Sequence, residues 1–317
     1  DYSKFINSSS TGSFYGQSGI VHSYYIMYEK KKTAFSAELT FDAQNFSMFK
    51  AGMQHSINNL KLSLFYRNID PNFRSPFGYC FGEFSNPSNE TGIFSGIFWH
   101  FSKKIDFSFY ADIFQTKDRT YFVPTKVNGL DLFFESNYKL SAGNLLTLRL
   151  RNETKTDKFN SGNKSWVGDK SRSSARVEFS SRLSPYLQTR LRTETSMIDY
   201  DGFMPQENGL AVSMEFTIKP AEDIKIGGRY TLYSTDSYDS AIWQFEYAMS
   251  GYMTTSSLYG EGARYYLYID FSPISYVNLL LRYSETSKNN VKSLSSGYNE
   301  IDGNSASQLS FQIDVKF

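Results

Sequence analysis

The chain has three histidines, His22, His55 and His100, and each falls on a different stretch of alternating apolar and polar residues. A hydrolase needs a nucleophile or a water activated beside such an imidazole. The sequence holds no Asp-His neighbours, no Asn-x-x-x-His-x-Ser segment and no Gly-x-Ser-x-Gly elbow. His55-Ser56 lies at a strand end and reads as structural. Metal-ligand spacing is missing as well, with no His-x-x-x-His and a lone Cys80 that reads as a packed or loop thiol. Gly78 and Gly227-Gly228 read as turn or strand relief rather than phosphate loops. Neither catalysis nor a cofactor is expected.

The charged residues offer a different chemistry. Arg149, Arg151 and Glu153 recur at every second position, and so do Arg176 with Glu178, Arg190 with Arg192 and Glu194, and Arg264 with Asp270 further along. Arg182, Glu215, Lys219, Lys225 and Arg229 continue the series. The positions between them are apolar: Leu146, Leu148 and Leu150; Val177 and Phe179; Val212, Met214, Phe216 and Ile218; Tyr265, Leu267, Ile269 and Phe271; Val277, Leu279 and Leu281. Period two means β-strands with one apolar and one charged face. An Arg or Lys facing hydrocarbon at a bilayer midplane costs about 2–4 kcal/mol, so the charges must face inward. Arg149, Arg151, Arg176, Arg190, Arg192, Arg229 and Arg264, with Glu153, Glu178 and Glu194, then form a lumen charge ladder. It either pairs across strands to fill and stiffen the interior, or makes a selectivity surface.

The elements that must position these residues are legible from the carboxyl end backwards. Leu309, Phe311, Ile313, Val315 and Phe317 alternate with polar residues. An amphipathic last strand ending in Phe resembles the assembly signal of bacterial outer-membrane β-barrels, read from Phe311, Ile313, Val315 and Phe317. About 15 such strands are found. They are 21–29, 34–41, 46–55, 60–68, 91–101, 105–114, 129–140, 145–153, 172–182, 186–196, 210–219, 223–233, 263–271, 276–285 and 306–317. Short connectors rich in Asn, Gly and Pro (57–59, 102–104, 141–143, 184–185, 220–222, 272–274) alternate with long polar ones (70–90, 115–128, 154–171, 199–208, 234–262, 286–305). Barrels place short turns in the periplasm and long loops outside.

Composition agrees. Aromatic residues make up 17%, with 24 Tyr and 28 Phe, yet the chain is polar on average. No stretch approaches the roughly 18 apolar residues of a spanning helix. Basic and acidic residues number 33 and 32, which gives no global field for nucleic acid. The predicted fold is all-β: a transmembrane antiparallel up-and-down barrel of about 14–16 or more strands, one domain over residues 1–317. The first strand runs downward after a Ser- and Gly-rich stretch, and barrels have even strand numbers. The expectation is therefore that the barrel is incomplete at its amino end. Aromatic residues cluster in two long loops: Phe73, Phe77, Tyr79 and Phe81, then Trp243, Phe245, Tyr247 and Tyr252. They read either as self-packing or mouth-filling residues, or as a recognition surface.

Several short motifs run through the barrel region: Leu64-Phe65-Tyr66-Arg67-Asn68, Asn89-Glu90-Thr91-Gly92, Tyr110-Ala111-Asp112-Ile113-Phe114, Gly260-Glu261-Gly262-Ala263-Arg264-Tyr265-Tyr266, and Leu281-Arg282-Tyr283. With these the chain resembles the barrel region of a poorly characterised Gram-negative outer-membrane family that carries an amino-terminal helix-hairpin-helix, DNA-uptake-like domain. The resemblance implies an outer-membrane address. Expected partners are outer-membrane lipid, the barrel-assembly machinery, and a surface ligand or partner protein; no direct nucleic-acid binding is evident. The expected function is a passive or gated conduit, the alternative a surface-binding or assembly component with a filled lumen.

Overall fold

The computed structural model describes residues 19–75, 81–83, 88–161, 164–295 and 297–316. Its elements in chain order are β1 (His22–Lys30), β2 (Thr33–Phe41), β3 (Ser47–Ile57), β4 (Leu60–Ile69), β5 (Glu90–His100), β6 (Ile105–Gln115), β7 (Asn128–Ser141), β8 (Asn144–Ser161), β9 (Lys164–Ser184) and β10 (Leu187–Asp199). Then follow β11 (Glu207–Ala221), β12 (Ile224–Thr235), β13 (Ile242–Glu246), β14 (Thr254–Leu258), β15 (Glu261–Ile274), β16 (Val277–Lys288), β17 (Ser293–Leu294), β18 (Ile301–Asp302) and β19 (Ser305–Val315). Fifteen strands form one sheet, in the order β1 to β12, then β15, β16 and β19. The pairs β13–β14 and β17–β18 stand apart from it.

Every large-sheet register determined for the described residues is antiparallel and joins strands consecutive in that sheet, the up-and-down pattern, with β13–β14 and β17–β18 lying in the β12–β15 and β16–β19 connections. One tight turn is Asn58-Asn59, where Asn58 takes φ 49°, a left-handed conformation Asn tolerates. Register carries the alternation across strands. Ile269 pairs with Leu281 and Leu281 with Phe311; one step on, Leu267 pairs with Tyr283 and Tyr283 with Leu309. These side chains share one face, and Ile269, Leu281 and Phe311 are exposed. The other face carries Arg229, Arg282 and Ser284, all buried. A sheet with exposed Leu, Ile and Phe and buried Arg reverses the soluble pattern, as an apolar solvent requires.

The chain divides into two compact units. The first comprises Asp1–Glu135, Arg151–Arg172 and Tyr200–Met204; the second comprises Ser136–Leu150, Ser173–Asp199 and Pro205–Phe317. The first holds two small apolar clusters, Met48–Ile69–Phe73 and Phe114–Val123–Val127. The second holds Ala211–Tyr233–Ile242–Leu258 and Tyr266–Tyr268–Leu280, the latter flanked by Tyr247 and Met249.

Three of the long connectors hold more strand than their polar composition suggests. Residues 154–171 are not a loop: β8 and β9 run 18 and 21 residues and take up nearly all of them. Above the lipid neither face need be apolar, so the strands continue after the alternation that reveals them has ended. Residues 234–262 likewise contain the hairpin β13–β14, and 286–305 the short pair β17–β18.

Candidate functional site: the polar face and its docked hairpin

In the second unit the charged residues of β9 to β12 mesh into a ladder. Arg176 on β9 donates to both oxygens of Glu194 on β10, at 3.0 and 2.9 Å. Arg192 donates to Glu178 from Nε at 2.8 Å and lies 2.7 Å from it at Nη2. Arg190 stands between Glu178 at 3.2 Å and Glu215 at 3.3 Å. Glu215 also accepts from Arg229 at 2.8 and 2.5 Å. The sheet places these residues: Arg190 pairs with Glu215, and Glu215 with Arg229, along one cross-strand row. The carboxylates are shared, so each desolvated charge has an opposite neighbour. Of the other basic residues expected on this face, Arg149 lies on β8 and Lys219 on β11.

The hairpin β13–β14 lies against this face. Ile242, Gln244 and Leu258 are buried, with Ile242 and Leu258 packed on Ala211 and Tyr233 of the wall. Its other side presents Trp243 and Phe245, 42% and 62% exposed, which pair with Ser257 and Thr255. Glu246 fixes the tip. Arg264 donates to it from Nε at 2.5 Å and from Nη2 at 2.9 Å, and Arg282 donates to Glu246 Oε2. Burial alone would push the Glu246 carboxyl up. The hydrogen bonds and charge of Arg264, helped by Arg282, outweigh that and hold it below the usual carboxylate range. Arg229 donates to the Phe245 carbonyl at 2.8 Å, and Gln312 of β19 to the Ser250 carbonyl at 3.1 Å. Tyr247 donates to Asp270 and stacks on Tyr268 at 3.9 Å, with Lys225 over its ring at 4.2 Å. Gly227 is the position that admits the Tyr268 ring, since a Cβ there would lie 2.6 Å from its hydroxyl. Tyr252, 77% exposed, extends the aromatic surface of the loop.

The first unit carries a second, independent cluster. Arg67, 1% exposed, donates to Glu90 and forks onto Asp112 at 2.8 and 3.1 Å. Phe81 covers the guanidinium at 5.3 Å and packs edge-on against Phe65 and Phe94. The Glu83 backbone N–H donates to Glu90 at 3.0 Å. Nearby, Arg151 bridges Asp131 at 2.9 Å and Glu153 at 3.2 Å, while Lys155 binds Glu83 at 3.0 Å. Three separate sequence motifs, around Arg67, Glu90 and Asp112, thus meet at one buried ion cluster. The motifs around Arg264 and Arg282 likewise meet at Glu246. Glu246, Glu90 and Asp112 had no place in the sequence-predicted ladder.

The loop aromatics separate. Phe73 is fully buried against Met48 and Ile69, which removes it from any recognition surface. Phe77 and Tyr79 lie outside the described residues, as do Cys80 and Phe317. Phe311, Ile313 and Val315 stand exposed on the apolar face of β19. The reading that no Asp-His pair exists is also corrected: His100 Nδ1 lies 2.6 Å from Asp106 Oδ1 across the β5–β6 turn. His55 Nδ1 meets Thr33 Oγ1 at 2.7 Å. On the apolar face of β16, Glu285 accepts from the hydroxyls of Tyr265 at 2.8 Å and Tyr283 at 2.6 Å, a polar stop to the row of leucines.

No family model and no curated protein matches the chain. Among solved structures it is similar to the FrpB iron transporter from Neisseria meningitidis, at 11% identity and a TM-score of 0.54, over 82% of this chain and 46% of that one. It is also similar to the RagAB peptide importer, at 10% identity and a TM-score of 0.50, over 93% of this chain and 48% of that one. The chain therefore spans just under half the length of either. The likeness is one of fold. Together with the exposed apolar face and buried charges, it makes this an outer-membrane β-barrel protein, porin-like in architecture.

Proposed function

We propose that the chain forms the wall of a passive or gated conduit through the outer membrane, with the hairpin β13–β14 as its narrowing element. One observation carries this reading. The connection between β12 and β15 lies against the charged face of the sheet and is fixed there by Glu246. A barrel wall that needed only to be filled would be served by apolar side chains. Here a polar ladder of alternating sign is kept, with a separate strand pair laid on it, as suits the passage of hydrated solutes with weak ion selectivity. The test is planar-bilayer recording of the full chain, with ionic and uncharged-sugar permeation both measured. Replacing Trp243–Ser257 by a short Gly-Ser linker should raise conductance. Silence in both forms would sink the conduit and promote an anchor for a cell-surface binding or assembly component.

That second reading draws on a loop of the first unit. Residues 116–127 are held by Asn89, which donates to the Asp118 and Arg119 carbonyls, and by paired bonds between Thr116 and Val127. The loop displays Tyr121 and Phe122 at 85% and 77% exposure. We do not propose catalysis. His100–Asp106 sits beside the short β5–β6 turn, and changing His22, His55 and His100 together should leave permeation unaltered. The kinship with helix-hairpin-helix-bearing proteins belongs here too; sequencing the upstream reading frame tests it.

A further inference from the structure

We infer that Arg264 and Arg282 form a binding site for a small oxyanion, a carboxylate or a phosphate. The chain's own Glu246 fills that site until such an anion displaces it. The geometry is that of a ligand site occupied by a surrogate. Arg264 forks onto both Glu246 oxygens, the bidentate grip guanidinium offers carboxylate and phosphate alike. Its third nitrogen is braced by Thr286 Oγ1 at 2.5 Å, and Arg282 Nη1 by Ser284 Oγ at 3.3 Å. The cradle is therefore set by the wall strands β15 and β16, not by the hairpin that supplies the carboxylate.

Charge and hydrogen bonding both remain in excess. Two guanidiniums face one carboxylate. Arg282 is 4% exposed, yet its Nε has no hydrogen-bond partner. A buried charged donor left open is costly, and an anion with more oxygens or more charge than Glu246 would satisfy it. The surplus is not absorbed next door. Glu215 is already shared by Arg229 and Arg190, and Glu178 by Arg190 and Arg192. Lys225 and Asp270 cancel, and Tyr266, flanked by Arg282 and Arg229 at 5.2 and 5.6 Å, adds its ring and a hydroxyl bonded to the Tyr247 backbone but no charge. The field at this point of the face attracts anions.

Exchange is mechanically simple. β13 and β14 pair only with each other, so undocking the tip breaks no ladder of the large sheet. Besides Glu246, undocking the tip gives up the Arg229 contact to the Phe245 carbonyl, the Gln312 bond to Ser250, and the Tyr247 contacts: its bond to Asp270, its stack on Tyr268 under Lys225, and its backbone bond with Tyr266. An entering oxyanion would take the arginines and free the tip. That makes the hairpin an anion-responsive gate, and only this last step rests on the conduit reading.

The experiment uses the full chain in micelles at pH 7, with Trp99→Phe and Trp166→Phe leaving Trp243 as the sole indole reporter. Sodium phosphate and sodium citrate are titrated against sodium chloride at matched ionic strength. A saturable change in Trp243 emission with phosphate or citrate, and none with chloride, is expected. Glu246→Gln frees the tip and shifts Trp243 without any anion, so its affinity is read by equilibrium dialysis of labelled phosphate, where the midpoint should fall about tenfold, the factor for a site open about a tenth of the time. Arg264→Gln with Arg282→Gln should abolish saturation. Equal responses to chloride and phosphate, or saturation that survives loss of both arginines, would overturn the site. Phosphate binding confined to Glu246→Gln would overturn displacement. Equilibrium dialysis of labelled phosphate against the Glu246 protein needs no variant to fold, and absence of binding there overturns the inference too. Bilayer recording separates the two readings. A protein that responds but does not conduct loses only the conduit; one that conducts without responding loses only the gate.

Discussion

Gly92 allows a quantitative test of the first unit's ion cluster. A Cβ built at this position would lie 2.5 Å from Arg67 Cζ and 2.7 and 2.8 Å from its terminal nitrogens. The end of an arginine ordinarily swings away from such a clash. This one is held by Glu90 on one side and Asp112 on the other, beneath the Phe81 ring. Gly92→Ala must therefore either strain the strand or part an ion pair. Overpacking costs about 1–3 kcal/mol, and separating one partner of a buried pair about 3–5. Because the guanidinium has room to shift only partly, a loss of about 3 kcal/mol is expected. Urea unfolding in lipid vesicles, followed by tryptophan emission, measures it. Ser95→Ala, on the opposite face of the same strand, is the control and should stay within about 0.5 kcal/mol. The decisive measurement is the double-mutant cycle: with Arg67→Met already present, adding Gly92→Ala should cost little more. A Gly92→Ala loss below about 0.5 kcal/mol, or one that is unchanged without Arg67, would refute the steric argument.

Phe73→Ala should destabilise by about 3–5 kcal/mol, since the ring is buried between Met48 and Ile69, whereas Tyr121→Ala on the exposed loop should be near neutral in the same unfolding assay. Leu267→Arg, on the lipid-facing side of β15, should cost about 2–4 kcal/mol near the midplane and reduce the heat-resistant band on gels. Acidification should free the hairpin. The Glu246 carboxyl is held below its ordinary value of 4.5, so its contribution to docking is fully present above that pH and lost as pH falls through the lowered value. Trp243 emission should shift only in that acid range, and Glu246→Gln should be shifted already at pH 7. Orientation is checked in a Cys80→Ser background: an impermeant thiol reagent on intact cells should label Tyr121→Cys and not Ala142→Cys, and the reverse pattern would invert the topology.

The strands were legible because lipid imposes a strict rule on every second residue, and Leu267, Ile269, Leu279 and Leu281 obey it. Where that rule stops, so did the reading. The outer halves of β8 and β9 are polar on both faces and looked like loop. For Phe73, set among polar neighbours, the sequence leaves packing and display equally open, and a three-dimensional contact with Met48 and Ile69 decides for packing. The ladder of Arg176, Arg190, Arg192 and Arg229 is visible as charge at alternate positions, and cross-strand pairing follows from it, but which acid each arginine meets depends on register between strands. Glu246 was the hardest to see. It belongs to no spanning strand, and its partners lie 18 and 36 residues away. The signal that pointed to it was indirect: the short motifs around Arg264 and Arg282 each centre on an arginine that needs an acid.

The length of β8 and β9 has a consequence of its own. At about 3.4 Å per residue and a tilt near 40°, strands of 18 and 21 residues rise about 45–55 Å, against an apolar band about 25 Å tall. Both strands are therefore longer than that band requires. Their outer parts answer neither to hydrocarbon nor to the charged face, so substitutions there are limited by local packing alone, as at Phe159, buried against Tyr200 and Phe203. They are also the parts that an antibody, a phage or a protease approaching the cell meets first. Surface variation among relatives should accumulate at that end, and an epitope tag placed between Ser161 and Lys164 should be read from outside with the barrel intact.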